Sequence, residues 1–185
     1  MTMNRLRRAV GISLLCSGVA RADCSKEDLR AKLAQLNPAS VVVVEIGAPE
    51  WCAPCKRIKK HLPALEEAFK NRATFIEINI DEGPACTKLL EEYGAMADVA
   101  SGLRGSVPLL VSATAAEHLQ GFASLAQGGA PLIKSQYAVG VPAASPASLK
   151  AAQGKADPAA FAGVSEFVEE ALKSGAPSPE KKAAH

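Results

Sequence analysis

Val41-Val42-Val43-Val44-Glu45-Ile46-Gly47-Ala48-Pro49-Glu50-Trp51-Cys52-Ala53-Pro54-Cys55-Lys56 is the stretch on which the fold turns. Its first six residues form a β-branched run broken by one acid. The run is too continuous for a strand with one wet face, so it predicts a central strand covered on both sides. Gly47, Ala48 and Pro49 end it. From Cys52 onward the spacing changes to that of a helix, with Ile58, Leu62, Leu65 and Phe69 four, three and four apart. Lys56, Arg57, Lys59 and Lys60 fall on its wet side, and Pro63 predicts a kink. Two cysteines therefore stand where a strand hands over to a helix.

Working outward, Thr74 to Ile80 reads as a second strand, and Asp81-Glu82-Gly83-Pro84 as a turn. A helix follows over Ala85 to Tyr93 with Gly94 as its C-terminal cap. Val107-Pro108-Leu109-Leu110-Val111 reads as a third strand with proline at its start. Upstream, Ser25-Lys26-Glu27-Asp28 opens a helix with Leu29, Leu33 and Leu36 on one face, stopped at Asn37-Pro38. From Ser112 to Ala156 small residues, glycines and prolines blur the pattern, and Tyr137 to Val141 is the best strand candidate. Asp157-Pro158 opens a last helix carrying Phe161, Val164, Val168 and Leu172, and Gly175 ends it. The β-α-β-α-β order predicts an α/β fold with a largely parallel sheet and helices on both faces. Sites in such sheets lie beyond the carboxyl ends of strands, where Cys52 falls.

The chain has 185 residues, 48% of them hydrophobic and only 4% aromatic, enough for one core built from Val, Leu, Ile and Ala. Arg5, Arg7 and Arg8, the apolar run Ala9 to Val19 and Ala20-Arg21-Ala22 have the order of an export signal cleaved after Ala22. The apolar run is shorter than the roughly 20 residues a membrane span needs. Losing 1–22 removes four arginines and no acid, taking the formal charge from +2 to −2. No basic patch then argues for nucleic acid. The expected organisation is a leader over 1–22, a domain over 23–175 with an atypical insertion around 112–156, and a disordered tail over 176–185. Cys24, Cys52, Cys55 and Cys86 remain, an even number compatible with two disulfides in an oxidising compartment.

A thiol attacks a disulfide only as its thiolate, and a helix N-terminus stabilises that charge through unpaired N–H groups and the macrodipole. Cys52 at the helix start is placed to attack, and Cys55 one turn on is placed to resolve the mixed disulfide. Other readings of the pair are half a zinc site, a haem attachment or an inert disulfide. Haem attachment calls for His where Lys56 stands. Zinc would need Cys24 and Cys86 as remote ligands without a second paired motif. Redox chemistry is the preferred reading, with no metal and no cofactor expected. His61 and His118 read as surface residues.

Glu50-Trp51-Cys52-Ala53-Pro54-Cys55-Lys56 resembles the active site of the thioredoxin family, with Ala53 in place of the usual glycine. Val43 to Ile46, Asn79-Ile80-Asp81 and the loop Gly102 to Pro108 resemble the neighbouring strands and the cis-proline loop of that family. The resemblance spans roughly Val41 to Val111. It implies a thioredoxin fold with a mixed, mostly parallel central sheet, Cys52 as nucleophile, Cys55 as resolving thiol, Trp51 as an apolar rim and Pro108 in the cis form. Val107 would then offer its backbone to a client segment, and Glu45 would be the buried acid that shuttles a proton to Cys55. Glu45 lies one residue farther from Cys52 than in the family, which preserves its facing only if the extra residue sits in the turn. The resemblance also puts Cys24 and Cys86 on one face of the sheet. A structural disulfide between them competes there with two free thiols or a second redox relay. The expected partners are client proteins with thiols or disulfides, met outside the cytoplasm by a monomer. A membrane electron donor is needed if the protein is a reductant, which Pro54 favours. The rival from another class is a copper- or client-binding module without turnover.

Overall fold

The computed structural model describes residues 24–129, 133 and 136–175; the expected leader and tail lie outside them. In chain order the elements are α1 (Lys26–Gln35), β1 (Val41–Gly47), α2 (Ala53–Ala68), β2 (Ala73–Asn79), α3 (Pro84–Met96), β3 (Leu109–Thr114), α4 (Ala115–Ala126), β4 (Gln136–Val139), α5 (Pro146–Ala151) and α6 (Pro158–Gly175). Single 3₁₀ turns occupy Ile80–Glu82 and Ser101–Leu103.

The four strands form one sheet in the order β2-β1-β3-β4. β1 is internal and every one of its residues is buried, as its unbroken apolar run requires. Val42, Val44 and Ile46 pack on Leu29 and Leu33 of α1, Leu89, Leu90 and Tyr93 of α3, and Phe122 of α4. Val43 faces the other way, onto Ile58, Leu62 and Leu65 of α2 and Val164 and Val168 of α6. Each such side chain contributes about 1.5–3 kcal/mol by leaving water, so both layers are anchored through one strand.

The sheet is mixed, and only the β1–β2 pairing is parallel; β1–β3 and β3–β4 are antiparallel. A mixed, mostly parallel sheet was the expectation; its mixed character holds, and its parallel majority does not. The difference lies in the segment 97–107. It brings the chain to Val107, beside Cys52 and past the carboxyl end of β1, so β3 enters the sheet from that end and runs back along β1.

Gly94 does not cap α3. The helix continues through it to Met96, because Tyr93 and Met96 are both fully buried. It closes at Ala97 and Asp98. Asp98 takes the left-handed conformation at φ 56°, which Asp tolerates better than most residues, and the Val99 N–H bonds back to the Gly94 carbonyl at 2.9 Å.

The described residues of 112–156 hold more regular structure than their composition suggests. Thr114 and Glu117 form a reciprocal capping box that starts α4, and α4 packs against α1. His118 on α4 is fully buried, not at the surface. Its Nε2–H donates to the Val42 carbonyl at 3.1 Å, and burial holds its pKa down at about 4. His61 on α2 is likewise buried, edge-on to Phe161 of α6. Both histidines stand at helical spacing on apolar faces, which makes them core residues. α2 itself runs unbroken through Pro63.

Candidate active site

Cys52 is the N-cap of α2, with extended backbone dihedrals, and its Sγ accepts the N–H of Cys55 at 3.1 Å. Pro54 sits in the first turn, where a missing N–H costs nothing. Cys52 and Cys55 are joined in a disulfide with Cα atoms 5.2 Å apart. Cys55 is 1% exposed and Cys52 5%, so the outer sulfur is more enclosed than its place at the helix start suggested. Ala48, Ile80 and Val107 pack around the pair. The Val107 carbonyl oxygen lies 3.8 Å from Cys52 Sγ, and the Val107–Pro108 peptide is cis. Of the two basic residues that follow the pair, Arg57 makes an ion pair with Asp157 at 3.9 Å.

Trp51 is 67% exposed and projects from the rim. Its Nε1–H donates to Asp81 at 3.0 Å, and the other Asp81 oxygen accepts the Glu50 N–H at 2.9 Å. Asp81, in the turn after β2, thus clamps the loop that carries the cysteines. The sequence flagged Asp81 only as part of a strand end and the turn after it; an acid at that point, at the same edge of the sheet as Cys52, was the signal for the clamp.

Behind the disulfide, Glu45 is 3% exposed. The residue that separates it further from Cys52 is taken up after the strand, in the turn where the Trp51 and Cys52 N–H groups both reach the Ala48 carbonyl. β1 keeps its alternation, so Glu45 shares the α2-facing side with Val43. Gly47 shows how close this brings it to the cysteines. A Cβ on Gly47 would lie 2.5 Å from Glu45 Oε1 and 3.3 Å from Cys55 Cβ. The missing side chain is therefore the gap through which carboxyl and cysteine face each other. Loss of water pushes the Glu45 pKa up to about 8; the nearby Glu77 carboxylate adds to this and Lys59 opposes it.

Cys24, just ahead of α1, and Cys86, in the first turn of α3, form a second disulfide with Cα atoms 4.8 Å apart. It joins the core on the α1/α3 side of the sheet, and Cys24 Sγ lies 3.8 Å from the Asn79 carbonyl oxygen. Among the described residues no group of three or more His, Cys, Asp or Glu side chains could hold a metal ion.

Comparison with known proteins agrees with this geometry. Residues 22–94 match the family model for thioredoxin. A stretch of 42 residues is 48% identical to thioredoxin from Oryctolagus cuniculus, covering 23% of this chain and 38% of the relative. The chain therefore spans little more than a third of that relative's length. Among solved structures, chloroplastic thioredoxin z is similar at 17% identity and a TM-score of 0.44, over 81% of this chain and 91% of its own. The germline-specific thioredoxin Deadhead from Drosophila melanogaster is similar at 20% identity and 0.36, over 49% and 72%. A redox protein from Chlamydomonas reinhardtii is similar at 19% and 0.42, over 73% and 35%. These structural likenesses are distant, and what the chain shares with thioredoxin is the sequence over the strand, the cysteine pair and the helices that follow, less than half of its length.

Proposed function

We propose that this chain is a thiol:disulfide oxidoreductase that reduces or exchanges disulfides of exported proteins through Cys52 and Cys55. The observation that carries the reading is the position of Cys52 Sγ. It caps a 16-residue helix and lies beside a strand-entry carbonyl that can pair with a client. In the reduced protein the Cys55 N–H and the α2 N-terminus stabilise the Cys52 thiolate. That thiolate attacks a client disulfide: a Cys52–client bond forms and the client's other sulfur leaves as a thiolate. Cys55 then loses its proton to Glu45 and attacks Cys52 Sγ, restoring the disulfide seen here and releasing the reduced client. A client segment lying along Val107 would add main-chain hydrogen bonds, and the exposed Trp51 ring would cover it.

The basic-apolar-small leader supports export to a periplasmic or extracellular space, with 23–175 as the working domain. Pro54 and the absence of His between the cysteines support a reductant or isomerase, recharged by a membrane electron donor. The test is reduction of insulin disulfides, together with trapping by Cys55→Ala. Turnover by the wild type and mixed disulfides stranded on Cys52 are expected. A chain that neither turns over nor traps clients would reject the reading.

A further inference from the structure

Glu45 has a second carboxylate as its strand neighbour. Its partner in the β1–β2 register is Glu77, which is also buried. Neighbouring strands lie about 4.8 Å apart, and two buried acids on paired residues of adjacent strands resist ionising together. Lys59, one helical turn past Cys55 on α2, makes an ion pair with Glu77 Oε1. The Lys59 side chain is 38% exposed and that of Glu77 10%, so the pair leads from solvent towards Glu45. Among the described residues, Glu66 of α2 also feels the charge of Glu77. β3 presents Leu110 to the same space, and α6 presents Val164, Phe167 and Val168, all apolar.

We propose that Glu77, anchored by Lys59, is a positioning residue of the Cys52–Cys55 site, holding the proton on Glu45 while the disulfide is closed. The proposal rests on the thiol-exchange reading. When a donor dithiol recharges the protein, its thiolate attacks Cys52 Sγ. A donor–Cys52 bond forms and the Cys52–Cys55 bond breaks. Cys55 leaves with the electron pair and takes the proton from Glu45; the donor sulfur is oxidised and Cys55 is reduced. Glu45 is left ionised beside Glu77, which makes it a stronger base for the later step in which Cys55 must be deprotonated. Lys59 sets the strength of this bias, because its charge partly cancels that of Glu77. The core thus contains a carboxylate pair graded by one lysine at its edge.

The experiment follows the side-chain carboxyl of Glu45 by carbon-13 NMR in the oxidised full chain, its signal assigned by loss in Glu45→Gln. Glu77→Gln should move the Glu45 titration to lower pH by about one unit or more. Lys59→Met should move it to higher pH, and Lys59→Arg should restore it. Loosened packing cannot produce shifts of opposite sign, and Lys59→Met, on a partly exposed helix face, decides the matter if Glu77→Gln does not fold. Unmoved titrations beside normal insulin reduction would overturn the proposal and leave the exchange reading standing. Opposite shifts without insulin reduction would support the carboxylate pair and reject the exchange reading.

Discussion

Replacing Glu45 with Gln should make the protein more stable, by an amount that grows with pH. In the folded protein Glu45 titrates at about 8, whereas in the unfolded chain it titrates near 4.5. Between those values the native state holds a proton that the unfolded state has released, so wild-type stability falls as pH rises through the window. Below pH 4.5 both states are protonated and the loss vanishes. Each pH unit of difference is worth 1.36 kcal/mol, so the span from 4.5 to pH 7 costs about 3 kcal/mol. Gln has the size of a protonated Glu and never ionises, so the variant escapes the loss. His118, with its folded pKa held at about 4, has the opposite effect: stability rises with pH between 4 and the His value of the unfolded chain. That contribution is common to both proteins and cancels in their difference. Urea unfolding of the oxidised proteins at pH 5, 7 and 8.5 measures it. With a slope of about 2 kcal/mol per molar urea, the midpoint gap should widen by about 1–2 M from pH 5 to pH 8.5. A gap independent of pH would refute the placement of a protonated acid behind the cysteines.

Three further outcomes follow from the same geometry. Gly47→Ala drives a methyl group between Glu45 and Cys55, at 2.5 Å from the carboxyl oxygen; calorimetry should show a loss of about 1–3 kcal/mol, with slower reduction of the disulfide. Removing both Cys24 and Cys86 opens a link between residues 62 apart in sequence; it should cost about 4 kcal/mol in urea unfolding while insulin reduction survives. Asp81→Ala frees Trp51 and Glu50 from their shared acceptor; a loss of about 1 kcal/mol of loop order corresponds to a roughly fivefold rise in KM for a client, read by steady-state kinetics.

The parts of the fold that were legible in the sequence are those fixed by local patterning. Val41 to Ile46 could only be a strand buried on both faces, and the Cys52 segment could only start a helix after it. Ser25 and Asp157 marked their helix starts for the same reason: a side-chain oxygen accepting an orphan N–H three residues on. The direction of β3 was not legible, because it depends on the route taken by 97–107, a segment without periodicity. α4 was missed because its face is built from Ala115, His118, Gly121 and Phe122, where small residues hide the apolar stripe. Gly121 is needed there: a Cβ would lie 2.8 Å from Met96 and Ile133. At the site, spacing located both cysteines, whereas the cis-proline loop was legible only through the resemblance of Gly102 to Pro108 to that of the thioredoxin family. The facing of Glu45 and the pairing of Glu77 with it depend on where the turn absorbs one residue and on strand register, which only the fold supplies.

The central claim is that Cys52 carries a stabilised thiolate within reach of a partner, and the pH dependence of its alkylation by iodoacetamide tests this most directly. In reduced Cys55→Ala protein the reaction should follow a midpoint at least about one unit below the ordinary thiol value near 8.5. A midpoint at or above 8.5, or a Cys52 that does not react at all, would contradict the account.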